Sequence, residues 1–178
     1  MKLLVLGMGL AIFAAVACAV NVHFVSAGAR GRFTLLSALS AGNIFVFGRE
    51  LWLRQKNETL LLAALCLFVV SAVLFGWAVH ASRSARLKLI FAPDNPQFIL
   101  QSGPYRFIRH PFYACYILFW LGCALATLHP INVAYLVLII PLLVIAARHE
   151  EAGFGQTPQA SAYAEYRRRA GMFWPKLG

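Results

Sequence analysis

Ser102-Gly103-Pro104-Tyr105-Arg106-Phe107-Ile108-Arg109-His110-Pro111-Phe112-Tyr113 gathers the chain's polar chemistry immediately before an apolar run that begins near Ala114. Gly103-Pro104 is a turn signal, and Pro111 biases His110 towards extended backbone while itself suiting the first turn of a helix. The stretch therefore reads as a loop followed by a helix start. At such a start the unpaired N–H groups and the positive end of the helix dipole favour an anion, and Arg106, Arg109 and His110 reinforce that field.

Downstream, Phe112–Leu128 reads as one apolar helix, His129-Pro130-Ile131-Asn132 as a tight turn, and Val133–Ala147 as a second helix that Pro141 should kink. The pair forms an antiparallel hairpin whose open end brings the Gly103–Tyr113 loop close to Arg148-His149-Glu150-Glu151. Upstream, Leu3–Phe24 is long enough to cross a bilayer at roughly 20 residues per span. Phe33–Phe47 is shorter and interrupted by Gly42 and Asn43, and Leu60–Val79 is a clear third apolar helix. A long polar connection then runs from His80 to His110. The expected fold is an all-α polytopic membrane protein with about five transmembrane helices, a C-terminal helical hairpin, and a cytoplasmic loop and tail. The N-terminal helices occupy residues 1–80 and the core of loop, hairpin and amphipathic tail residues 81–178.

Composition supports the membrane class: 61% of the 178 residues are hydrophobic and 12% charged. Sixteen Lys and Arg against six acids give a formal charge of +10. In a membrane protein such an excess speaks of orientation and anionic headgroups rather than nucleic acid. With Lys2, Arg49, Arg54 and Lys56 on one side, the other twelve basic residues fall on the opposite side, which places the long connection and the tail in the cytoplasm. Lys2, the apolar core after it and Ala17-Cys18-Ala19 also resemble a signal peptide, but cleavage there would put the connection outside, against the charge distribution. The expected location is a prokaryotic inner membrane, with several spans and the polar loop facing the cytoplasm. Cys18, Cys66, Cys115 and Cys123 lie in apolar runs without C-x-x-C spacing and read as packing residues.

Glu150 and Glu151 are two of only six acids and end an apolar helix facing the basic loop. They could pair with Arg106, Arg109 or Arg148, or one of them could bind hydroxyl or amino groups of a ligand. Tyr105, Phe107, Phe112, Tyr113 and Tyr116 could form an interfacial belt or wall a cofactor cleft. The five histidines are scattered, so no metal site is expected. Phosphate loops and serine-hydrolase elbows are missing from the sequence as well. Ser161–Arg169 reads as a short amphipathic segment on the membrane surface.

Gly103-x-Tyr105-x-x-x-Arg109-His110-Pro111-x-Tyr113, the hairpin, Glu150-Glu151, and Tyr163-x-x-Tyr166-x-x-Arg169 with Pro175 together resemble the isoprenylcysteine carboxyl methyltransferase family over roughly Gln97–Pro175. The resemblance implies S-adenosyl-L-methionine as cofactor and methyl transfer to a lipophilic acceptor, a small molecule or a prenylated or lipid substrate, most readily at a carboxylate. Phospholipid, amine or thiol methylation, or a nicotinamide-dependent membrane reductase built on a similar core, are the alternatives, with a non-enzymatic headgroup-binding subunit as a third. The resemblance also implies Gln97, Phe98, Ile99, Leu100, Tyr105, His110, Pro111, Phe112, Tyr113 and Glu150 as cofactor-lining residues, and beside them Arg148, Glu151 and Arg109 are the expected catalytic residues. Where the family usually carries an arginine one turn before the glutamate, this chain has Ala146 and Ala147, and Arg148 is the nearest cation. Membrane lipids are the other expected partners.

Overall fold

A computed structural model describes residues 1–23, 30–54, 57–84 and 99–176, and among them every regular element is a helix. In chain order they are α1 (Lys2–His23), α2 (Arg30–Leu53), α3 (Glu58–Ser84), a 3-10 turn (Gly103–Arg106), α4 (Pro111–Thr127), α5 (Pro130–Phe154) and α6 (Ala160–Arg169). Local chemistry sets several of the starts. Asn57 caps α3, its side-chain oxygen accepting from the N–H groups of Thr59 at 2.8 Å and Leu60 at 3.2 Å. Pro111 and Pro130 occupy the first turns of α4 and α5, where a missing N–H costs nothing.

Glu58–Ser82 and Pro130–Phe154 are long and apolar enough to cross a membrane, while Lys2–Cys18 and Pro111–Thr127 are shorter apolar helices. Only 22% and 28% of the most apolar windows of the two long helices are buried inside the protein. Their apolar surface therefore faces outward, where the core helix of a soluble protein would hide it.

Three elements differ from the sequence expectation, the first being α3, which runs past Val79 to Ser84 and so takes up the start of the expected polar connection. The second helix is not confined to Phe33–Phe47 but extends to Leu53, through Gly42 and Asn43. A lone glycine or amide does not end a helix whose backbone groups have no better partner than one another. The extension carries Glu50 into a buried position, its side chain 2% exposed, where it pairs with Arg49 at 3.2 Å and Arg54 at 3.1 Å. The fifth helix likewise continues past Ala147 to Phe154, and Pro141 sits inside it without ending it.

The core is centred on α3 and α4. Gly122 brings α4 so close to α3 that an added Cβ would lie 2.6 Å from the Phe68 ring. Phe68 in turn stacks on Phe119 at 5.4 Å and meets Phe47 edge-on at 6.0 Å. Close approach through a small residue, locked by aromatic contacts, is how helices associate where apolar burial alone gives no preference. Only Leu128 and His129 separate α4 from α5, and the start of α4 lies against the end of α5, as the contact of His110 with Glu151 shows.

At the opposite end, α2 and α5 meet along a polar seam. Ser40 and Tyr135 share a hydrogen bond of 2.6 Å, and His129 Nε2 lies 4.0 Å from Glu50. Asn43 and Asn132 fall between these contacts along their helices, both buried, and their amide atoms find no hydrogen-bond partner among the described residues.

Candidate active site at the start of α4

The site is built from the loop before α4, the end of α5, and α6 with the segment after it. Gly103 opens the loop with a φ of +58°, a conformation that disfavours any side chain. There is also no space for one, since a Cβ would stand 2.8 Å from that of Ala81. The loop is then tied down: Tyr105 shares a hydrogen bond of 3.1 Å with Ser82, and Tyr166 donates its hydroxyl to the Tyr105 carbonyl at 2.6 Å. Burial pushes the Tyr105 hydroxyl up to about 12, so it remains a neutral hydrogen-bonding group.

His110 caps α4 with φ −124° and ψ 66°, short of the extended backbone that Pro111 led the sequence to suggest, and does not use its side chain as a cap. The ring instead reaches across to α5. Nε2 lies 3.0 Å from Glu151 and Nδ1 3.4 Å from Glu150. Two carboxylates facing two ring nitrogens call for a proton on each, an imidazolium. Burial alone would lower the pKa of this histidine, but the hydrogen bonds and charges of Glu150 and Glu151 together hold it above 6.5.

The two glutamates have different surroundings. Glu151 has a side chain only 4% exposed and is saturated by cations: Arg109 Nε at 2.8 Å, His110 Nε2 at 3.0 Å and Arg167 Nε at 3.2 Å. Glu150 is 30% exposed, accepts a hydrogen bond from the Tyr113 hydroxyl and otherwise faces His110. Tyr113 and His110 lie parallel, ring centroids 5.5 Å apart, so the two groups that hold Glu150 also hold each other. An open carboxylate beside a hydroxyl and an aromatic wall suits an ammonium or hydroxyl group of a ligand.

Of the residues singled out in the sequence, Tyr105, Arg109, His110, Pro111, Tyr113, Glu150 and Glu151 come together here. Phe112 points to α3, packing edge-on against Phe75 at 5.7 Å. Ile99 packs against the small cluster of Tyr163, Tyr166 and Ala170, and Leu100 is half-buried. Gln97 and Phe98 lie outside the described residues. The sequence grouped Arg109 and Glu151 with Arg148. In the structure Arg109 and Glu151 bind each other, while Arg148 is exposed and makes no ion pair among the described residues. No cluster of metal-ligating side chains occurs among the described residues.

Sequence reading missed the segment after α6. Arg109 N–H donates to the Gly171 carbonyl at 2.8 Å, His110 N–H to that of Met172 at 3.1 Å, and Gly171 N–H to that of Phe107 at 3.0 Å. The Arg109 guanidinium also donates to the Ala170 carbonyl. Gly171 was the available signal, a glycine straight after a basic helix end.

No curated protein and no solved structure matches the chain. Residues 62–153, just over half of its length, match the isoprenylcysteine carboxyl methyltransferase (ICMT) family, and the match takes in the loop, His110, Tyr113 and both glutamates. The chain belongs to that family of membrane methyltransferases.

Proposed function

We propose that the protein binds S-adenosylmethionine at Glu150 and methylates a lipophilic acceptor, most readily a carboxylate. The observation that carries this reading is the asymmetry of the glutamate pair. Glu151 is closed off by three cations, while Glu150 keeps an open carboxylate with Tyr113 and His110 as its only side-chain partners among the described residues. That donor set fits the cofactor's amino-acid end, with Glu150 taking the α-ammonium group and the Tyr105, Tyr113 and Phe173 side enclosing the rest. When bound, the cofactor supplies an electrophilic methyl group on a sulfonium, transferred to an oxygen as the carbon–sulfur bond breaks.

Such a transfer needs alignment more than acid or base catalysis, because an ionised carboxylate is already a nucleophile. Arg109 and Glu151 hold the loop and helix end in register. His110 and Tyr113 orient Glu150, and exposed Arg148 receives the acceptor's carboxylate. The acceptor reaches the site from the bilayer between helices. In this reading all five long helices cross the membrane, and the site faces the cytoplasm of a prokaryotic inner membrane, the side with twelve of the sixteen basic residues.

Calorimetry of S-adenosylmethionine with the detergent-purified protein tests the reading. Glu150→Gln removes a charge-assisted contact worth roughly 1.5–3 kcal/mol, so affinity should fall about 10- to 100-fold. A wild-type protein that is folded and monodisperse but binds no S-adenosylmethionine would refute it.

A further inference from the structure

Phe173 lies outside the stretch that matches the family, yet its ring packs against both side chains that hold Glu150. Its ring meets that of His110 edge-on at 6.2 Å and 73°, and that of Tyr113 edge-on at 6.3 Å and 76°. It is 8% exposed. We propose that Phe173 is a positioning residue: as the tip of a C-terminal strap it clamps the stacked His110–Tyr113 pair, and through them it sets where the Glu150 carboxylate points. The proposal rests on the assignment of Glu150 as the ligand-binding carboxylate.

Three observations carry it. The strap is held by main-chain hydrogen bonds to the residues that present His110, the three that link 107–110 with 171–172. Backbone pairing places Phe173 opposite His110 whatever the neighbouring side chains are. Gly171 is required for this path, because a Cβ there would stand 1.7 Å from the Trp174 carbonyl oxygen. Finally, His110 and Tyr113 are the only described side chains that hydrogen-bond or ion-pair with Glu150, so a movement of their rings bears directly on the carboxylate. An edge-to-face contact presents the positive ring edge to a π face, which fixes ring orientation as well as filling space.

The groups facing His110 come from every surrounding element: Tyr113 from α4, Glu150 and Glu151 from α5, and Phe173 from the strap. Arg109 and Arg167 reach the ring only through Glu151. A change in ring position should therefore appear in the titration of His110 itself, without any cofactor. The histidine resonances of full-length protein in detergent micelles are followed against pH for wild type, Phe173→Leu, Phe173→Tyr and Gly171→Ala, with His110→Gln identifying the signal. Phe173→Leu and Gly171→Ala should bring the His110 midpoint back towards 6.5, and Phe173→Tyr, which keeps the ring, should restore it. In parallel, Phe173→Leu should weaken S-adenosylmethionine binding about tenfold and Phe173→Tyr should not.

A His110 titration unchanged in Phe173→Leu overturns the proposal, as does an equal loss in the Leu and Tyr variants that tracks their loss of thermal stability. If wild type binds no S-adenosylmethionine but the titration shifts as described, the clamp stands and the methyltransferase assignment fails.

Discussion

Replacing Glu151 with glutamine tests the ion pair with Arg109 that joins the loop to α5, and weakens the contacts with His110 and Arg167 at the same time. Arg109 has a side chain only 6% exposed, and Glu151 is its sole acidic partner among the described residues, at 2.8 Å. Removing one member of a buried pair typically costs ~3–5 kcal/mol, because the remaining charge stays buried without compensation. Two features place this case at the low end. Arg109 keeps main-chain acceptors in the carbonyls of Ala170 and Arg167, and the glutamine oxygen can still accept a hydrogen bond. Arg167 is 56% exposed, so its lost pairing adds well under ~1 kcal/mol. The expected loss is about 3 kcal/mol, or ~6–12 °C in melting temperature at roughly 2–4 °C per kcal/mol for a chain of this size. Thermal unfolding in detergent, followed by circular dichroism, measures it. Glu165→Gln is the control, since its pairs with Arg168 and Arg169 are exposed and 3.6 Å long and should move the midpoint by under ~0.5 kcal/mol. If Glu151→Gln unfolds no earlier than Glu165→Gln, the pair does not hold the loop and the account of the site is wrong. Arg109→Met combined with Glu151→Leu should recover most of the loss, because no unpaired charge is then left buried.

Other outcomes follow from the same geometry. The pKa of His110 is raised in the folded protein, so its contribution to stability is complete below about 6.5 and declines as pH rises through the higher folded value. Wild-type thermal midpoints should fall with pH across that window, and His110→Gln should flatten the dependence; an identical slope in both would refute the double-carboxylate contact. Gly122→Ala should destabilise by about 1–3 kcal/mol, because its Cβ would stand 2.6 Å from the Phe68 ring; an unchanged unfolding midpoint would show that α3 and α4 are not in close contact there.

Much of the site could be read from the chain because its determinants are local. Pro111 marks a helix start, and a short connection after an apolar helix returns the next one to the same end, so His110 and Glu150-Glu151 had to approach. Which glutamate stays open was not legible. It depends on the facing of successive residues at the end of α5 and on Arg167 arriving from α6 to close Glu151. The full length of α2 was obscured because Arg49 and Glu50 look like a loop in sequence, whereas in the fold they are an ion pair extended by Arg54. Phe173 gave no sign of its role, since main-chain pairing between residues far apart in sequence leaves no periodic trace.

The seam between α2 and α5 has a mechanical consequence. Moving α5 along α2 by one turn, about 5.4 Å, would separate Ser40 from Tyr135 and His129 from Glu50 together. Sliding is thus penalised at two points simultaneously. Between the seam and the glutamates lies Pro141, where the helical ladder lacks one N–H donor and bends most easily. The two ends of α5 are therefore anchored separately, its start to α2 along the seam and its end to the loop and α6 through Glu151, with the most easily bent turn of the helix between them.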